Sequence, residues 1–476
     1  MIEKRCKSRM GLLPVCSPRF RTLGEGTAGG TYHERMTAQA AAVVRALEED
    51  AEVVFDGLCY EPEDALRASE RFRAEKTDFV TVLFLSWSED EAFIRALRLL
   101  TDMPLLYACL SPEAVTYTDT QDENDFVDFL ANGALVGFLE GSGSLKRFDK
   151  RACDFILGSM DDLKRKARTF GRAAMTRTVL SGSTVSLLSH YNELMHATYV
   201  DPYRVFLTFG ASLHFLSVTD LIERYQAVDE PEAQAIVSRL AETYPVAKDV
   251  EYEHFLASVK ASMAMEALAA TVGTDLLVLN DVEQPLLKHI GLRPGFSPLY
   301  GERSPTVVPE GDIGAGLAVY ILKLISGGHV NFIEPFYIDT ARGVFAAGHA
   351  GPNDYTACPE NVVIARDTRF AKSGYRHAGA PFAWTVFPEG LKTVLHVSEC
   401  GGRVKMAFST IRCLETKHSL ASYSHADFTH THLSNEEFFT RLARFGVTQH
   451  FVIADGDHTA ALEAFAMLYD FDFLKL

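Results

Sequence analysis

Over its first two thirds the chain alternates short runs of β-branched and aromatic residues with segments of helical pattern, and this constrains its fold more than any other feature. The first series reads MGLLPV, a helical stretch Met36–Glu49, AEVVFDGL, Pro62–Lys76, DFVTVLFLSW, Glu89–Thr101, MPLLYACL and Asp122–Leu130. Apolar runs of this kind, separated by helices, specify βαβ units around a parallel sheet covered on both faces. They predict an α/β domain over residues 1–172. A second series begins at Arg177 with TRTVLSGS. It continues through a mixed segment Tyr191–Tyr199, the apolar run YRVFLTFG, Ser217–Arg224, a helical zone Glu230–Val272, LLVLN, a Gly- and Pro-rich loop Gly291–Pro305, and TVVPEGDIGAGLAVYILKLISGGHVNFIEP. This predicts a second doubly wound domain over residues 173–341. From about Arg342 the texture changes to closely spaced strand candidates: GVFAAGH, NVVIARD, FAWTVFP, KTVLHVSE and RVKMAFST. A mostly antiparallel sandwich or barrel over residues 342–476, closed by a helix at Thr459–Tyr469, is the expectation. The fold class is therefore α/β: two doubly wound parallel-sheet domains followed by a β-rich C-terminal domain.

The length of 476 residues suits about three domains at roughly 150 residues each. With 47% hydrophobic residues the chain can bury a large core without disulfides. A net charge of −17, with no Lys/Arg-rich run, argues against a nucleic-acid or acidic-membrane binder. The eight cysteines, Cys6, Cys16, Cys59, Cys109, Cys153, Cys358, Cys400 and Cys413, form no CxxC unit, which removes zinc-ribbon and thioredoxin-type readings. Reduced thiols in a cytoplasmic protein are expected. The N-terminal apolar stretch breaks at Pro14, so no signal peptide is expected. The longest apolar tract, Ile313–Ile325, contains Lys323 and falls short of the roughly 18 residues of a membrane span.

The segment Val307–Glu334 is the richest in chemistry. Strand TVV stops at Pro309, Glu310 follows, GDIGAG opens a helix that ends at Ser326-Gly327-Gly328, and HVNFIE ends at Glu334-Pro335. Read as a parallel βαβ unit, it places Glu310 and Glu334, 24 positions apart, on the edge where open α/β sheets bind ligands. Two carboxylates there can hold a divalent cation, share a proton, or do both. A blander reading stands beside this one: each glutamate caps a helix or faces solvent. GDIGAG lacks both the GK[ST] ending of a phosphate loop and the full GxGxxG spacing, and its glycines then serve only close packing. Among 16 histidines, His349, His377, His425, His430, His432 and His450 lie beside polar or Gly-rich turns of the C-terminal third. Neutral imidazoles with carboxylates ligate Mn, Fe or Zn, although a lone histidine is more often structural. The trio His425, His430 and His432, alternating with Thr, reads as a hydrogen-bonding surface segment.

Several of these segments together resemble the L-fucose/L-arabinose isomerase family. They are TVVPEGDIGAGLAVYILKLISGG…FIEPFYID, GHAGPND, the terminal FGVTQHFVIADGDHTAALEAFAMLYDF, the middle YNELMHATYVDPYRVFLTFGASLHFLS, and RMGLLPV. The likeness touches all three thirds of the chain, in patches. It implies two α/β domains before a β-rich one, and a divalent metal site, most often Mn²⁺, made of two acids and a C-terminal histidine. Matched by motif, these fall on Glu310 in PEGD, Glu334 in FIEP and His450 in TQH. Arabinose-type members add a further histidine, for which His377 in YRHAG is the match. Trp87 in LFLSWSED and Arg19 in VCSPRFR match sugar-site residues that a neighbouring subunit's first domain supplies, and His349 is placed with them as a sugar contact. The resemblance thus implies a metal-dependent aldose–ketose isomerase that acts on an unphosphorylated sugar through an enediolate and assembles as a homotrimer or homohexamer. A sugar-binding or regulatory homologue without turnover is the alternative. Gln449, where many relatives carry His or Asn, and the stretch HADFTHTH depart from the family pattern and suit a divergent branch acting on another sugar.

Overall fold

Five apolar runs of the N-terminal part form a sheet: β1 (Ser8–Val15), β2 (Ala51–Phe55), β3 (Phe79–Phe84), β4 (Leu105–Leu110) and β5 (Cys153–Gly158). The computed structural model describes residues 7–119, 121–150, 152–283, 286, 287, 290, 294–351, 353–420 and 422–476. The strand order is β2-β1-β3-β4-β5 and every pairing is parallel. Connecting helices are α1 (Tyr32–Leu47), α2 (Pro62–Ala74), α3 (Glu91–Leu99), α4 (Glu123–Asn132), α5 (Ala134–Arg147) and α6 (Met160–Ser181). All six residues of β3 are buried, which needs cover on both faces and explains why FVTVLF is continuously apolar instead of alternating. Val80, Val82 and Phe84 share one core with α2, α3 and α5, while Phe79 points the other way and meets Phe170 of α6 edge to face. Residues 7–178, with Glu463–Asp470, make one compact unit, and Val179–Leu462 with Phe471–Leu476 make the other.

The second unit holds a parallel sheet of β6 (Thr184–Leu188), β7 (Ser212–Leu216), β8 (Leu276–Leu279) and β9 (Thr306–Val308), in the order β7-β6-β8-β9. Its helices are α7 (Pro202–Phe209), α8 (Val218–Gln226), α9 (Glu230–Thr243) and α10 (Tyr252–Ala270). TRTVLSGS, which opens the second series, lies mostly in the last turn of α6, and β6 starts only at Thr184. The run YRVFLTFG is α7. Asp201 caps it by accepting the Tyr203 N–H, Gly210 ends it at φ 74°, and Val205 and Phe209, four apart, form its buried stripe.

From α11 (Ile313–Ser326) the chain enters β10 (Val330–Asp339), β11 (Val344–His349), β12 (Val362–Arg366), β13 (Pro381–Thr385), β14 (Gly390–Cys400), β15 (Arg403–Cys413) and β16 (Ser424–His430). Then follow α12 (Asn435–Phe445), β17 (Phe451–Asp455), α13 (Thr459–Leu468) and β18 (Asp472–Lys475). Six of these strands run β14-β17-β10-β11-β16-β15, and β15 pairs back onto β14 along its whole length, so they close into an antiparallel barrel. Of the two β-rich forms anticipated, the barrel is the one adopted. Strand β18 adds to β15 in parallel, and β12 with β13 forms a separate ribbon.

Strand β10 corrects the reading of the Val307–Glu334 segment. It does not join β9 in a parallel sheet; it pairs antiparallel with β11 and β17 inside the barrel. The expected boundary at residue 341 also falls inside the second unit, where parallel sheet and barrel lie together. Helix α11 supplies the reason. It contacts β8 and β9 of the sheet and also β10, β14 and β17 of the barrel, so IGAGLAVYILKLIS is apolar nearly all round. Burying Leu317, Ile321, Leu322 and Ile325 contributes about 1.5–3 kcal/mol each. A Cβ at Gly314 would stand 2.6 Å from the Val397 carbonyl oxygen of β14, and one at Gly316 2.8 Å from Val278 Cγ2 of β8. The glycines of GDIGAG therefore serve close packing of the helix between two sheets. Among the described residues no helix is long and apolar enough to cross a membrane. The seven described cysteines are free thiols. Cys6 and residues 291–293 of the Gly291–Pro305 loop lie outside the described residues.

Candidate functional site

Three elements of the second unit deliver side chains to one point. After β9 the chain turns through Glu310 at φ 66° and Gly311 at φ 71°. A Cβ at Gly311 would lie 2.9 Å from the Asn192 nitrogen, so glycine is required there. Glu310 is a left-handed non-glycine residue, which costs about 1–3 kcal/mol, and its N–H is anchored on Asp281 Oδ1 at 2.9 Å. His349 closes β11, and Gly348 before it leaves no room for a Cβ against the Ser424 carbonyl of β16. His450 immediately precedes β17. Ligand atoms of Glu310, His349 and His450 all lie within 4.8 Å of one another. Glu310 Oε1 is 3.4 Å from His349 Nε2, and Oε2 is 3.2 Å from His450 Nε2. Phe332 of β10 packs against both imidazoles, with ring centroids 4.6 and 4.8 Å away, and restrains them. Glu334, opposite Gly348 in the β10–β11 register, stands within electrostatic reach of all three.

The two glutamates are driven apart in acidity. Burial pushes the Glu310 carboxyl up, but hydrogen bonds and positive charge from His349 and His450 outweigh it and hold Glu310 well below the usual carboxylate range. Burial also pushes Glu334 up, and there the nearby Glu310 charge adds to it while the two histidines only partly offset it. For His450, burial opposes the charged form, yet Asp312 and Glu310 overcome it and raise the imidazole to about 9.

Several residues around the cluster were not singled out from the sequence. Asp312 caps α11, with Oδ1 accepting the Ala315 N–H at 2.9 Å and Oδ2 accepting from His450 Nδ1 at 2.8 Å. Its sequence signal is an Asp directly before an apolar helix. His396 on β14 donates from Nδ1 to the His450 carbonyl at 2.7 Å and accepts the Thr448 N–H on Nε2 at 3.4 Å. Burial lowers His396 to about 4, so its ring is neutral, as that pairing requires. Beyond β8, Asn280, Asp281 and Glu283 line the C-terminal edge of the sheet, where Glu283 accepts from the Ser189 hydroxyl and lies 3.5 Å from His190. This edge lies at the switch point between β6 and β8, where such sheets hold ligands.

The remaining candidates fall elsewhere. His377 does not reach the cluster: it sits in a loop with its ring 5.5 Å from His254, and burial together with Arg376 lowers its pKa. The second imidazole at the carboxylate is His349, which the sequence reading had placed among the sugar contacts. A strand end holds a side chain in one direction, as a Gly-rich loop does not. Arg19 and Trp87 lie together in the first unit, on the loops that follow adjacent strands β1 and β3. There Arg19 pairs with Glu89 at 2.7 Å and Trp87 meets Phe20 edge to face at 5.6 Å. The His425–His432 segment is hydrogen-bonded as anticipated, but most of it is barrel strand β16, with His425 and His430 buried. His425 binds the Tyr423 carbonyl, and His430 accepts the N–H groups of His432 and Leu433.

One carboxylate and two imidazoles converging beside a second carboxylate form a donor set that fits Mn²⁺, Fe²⁺ or Zn²⁺. No model of a known protein family matches the chain, and no curated protein matches it.

Proposed function

We propose that this cluster is the active centre of a metal-dependent aldose–ketose isomerase that acts on an unphosphorylated sugar. The observation that carries the reading is the convergence of Glu310, His349 and His450, from three separate elements, beside a second carboxylate. Moving a carbonyl between C1 and C2 requires removing a proton from a carbon of very high pKa. A bound divalent ion, Mn²⁺ in the family the sequence resembles, supplies positive charge that stabilises the enediolate. Glu310, kept ionised, would hold that ion together with His349 and His450. Glu334, whose raised pKa makes its carboxylate a stronger base, suits the group that takes the C2 proton and, once protonated, returns it to C1. An unphosphorylated substrate is supported by the capped N-terminus of α11, by glycines buried in packing, and by the net charge of −17. Arg19 and Trp87 are proposed as sugar contacts that a neighbouring subunit supplies in a cytoplasmic trimer or hexamer.

Incubating the Mn²⁺-loaded protein with a panel of aldoses and assaying for ketoses tests the reading. Tight sugar binding without ketose formation would favour the silent sugar-binding homologue instead. Glu310→Gln and Glu334→Gln are each expected to lower kcat by at least about 100-fold. Near-normal turnover in both variants would remove the assignment.

A further inference from the structure

We infer that Asp312 is a positioning residue whose two carboxylate oxygens divide their work: Oδ1 caps helix α11, and Oδ2 holds His450 in the tautomer that leaves Nε2 free for a cation. This rests on the metal reading proposed above. Asp312 and His450 are 3% and 1% exposed, so water does not compete for either contact. An ionised carboxylate only accepts, so the His450 Nδ1 facing it at 2.8 Å must carry the proton. In a neutral ring the lone pair then sits on Nε2, the atom that faces Glu310. Because Oδ1 is engaged by the first turn of α11, the carboxylate cannot rotate without uncapping the helix. From the opposite side, His396 holds the His450 carbonyl. His349 has no equivalent partner: among the described residues its Nδ1 is buried without a hydrogen bond. One imidazole of the pair is thus oriented by hydrogen bonding, and no second copy of the device replaces it.

Two variants separate the roles. Asp312→Ser keeps a capping oxygen but is too short to reach His450. Asp312→Asn has one acceptor oxygen for two donors. If it serves the helix, the amide NH₂ faces Nδ1 and drives the ring proton to Nε2; if it serves the imidazole, the cap is lost. Mn²⁺ affinity by titration calorimetry and thermal melting of the metal-free protein are the readouts. Asp312→Ser should still fold cooperatively, melt somewhat lower because the contact with His450 is gone, and bind Mn²⁺ about 10–100-fold more weakly. Asp312→Asn should either bind as weakly or melt lower. Wild-type affinity in Asp312→Ser overturns the inference. Failure of that variant to fold also overturns it, because the imidazole contact would then support the fold and not the ligand. A wild-type protein that binds neither Mn²⁺, Co²⁺ nor Zn²⁺ would instead remove the metal reading itself.

Discussion

Under the proposed function a proton and a metal ion would compete for one nitrogen of His450. Its pKa is raised from 6.5 to about 9 by Asp312 and Glu310 against the effect of burial, so the metal-free protein carries an imidazolium there at neutral pH. That pairing stabilises the fold fully below the unfolded value of about 6.5, and the contribution is lost as pH rises through about 9. Glu310 works in the other sense: its lowered pKa adds stability above about 4.5 that is lost as pH falls through the depressed value. A metal needs the neutral ring, so Mn²⁺ affinity should climb about tenfold per pH unit from pH 6 toward 9. Calorimetry across that range checks this, and an affinity independent of pH would show that no proton is displaced. Gly348 belongs to the same scale. Gly348→Ala drives a methyl against the Ser424 carbonyl, and urea unfolding should show a loss of about 1–3 kcal/mol. Unchanged stability would mean that β11 can shift without disturbing His349.

At the level of elements, α11 is the wedge on which the site depends. It follows the turn carrying Glu310, is capped by Asp312, and lies between the parallel sheet and barrel strands that include β10, which carries Glu334, and β17, which follows His450. Gly314→Ala pushes the helix off β14, so it should destabilise the protein by about 1–3 kcal/mol and weaken Mn²⁺ binding together. Gly328→Ala is the control, since the nearest atom to its Cβ is Ser326 Oγ at 3.9 Å. If both variants behave alike, close approach at Gly314 does not set the site. The apolar character of this helix on all sides was visible in the sequence as its longest apolar tract. It signalled a helix buried between two layers, a meaning hidden while β10 was read as the next parallel strand.

For the whole molecule, the proposal makes assembly part of function. Arg19 has a side chain 68% exposed and shares one sheet edge with Trp87, as a pair offered to another chain would. Sedimentation should find a trimer or hexamer closed by head-to-tail contacts. Trp87→Ala and Arg19→Ala should then raise KM more than they lower kcat, because they hold substrate and move no proton. A monomer at micromolar concentration that is fully active would remove both residues from the site.

Local information sufficed for β1 to β4, for α1 to α4 and for the change to β structure after Arg342, but not for β5, α5 or α6; it marked Glu310 and Glu334 as candidates, while His450 as a ligand entered through the family resemblance. Periodicity reports burial, but it did not locate the end of β10, which runs on past Glu334 to Asp339. Which sheet β10 joins, that the barrel closes, that His349 and not His377 meets the carboxylate, and that Asp312 stands behind His450 were decided only in three dimensions. Val330–Ile333 of β10 are buried on both faces, and such a run is mostly apolar whether its neighbours run parallel or antiparallel. The contact between Asp312 and His450 links positions 138 residues apart, and no local preference of either residue specifies it.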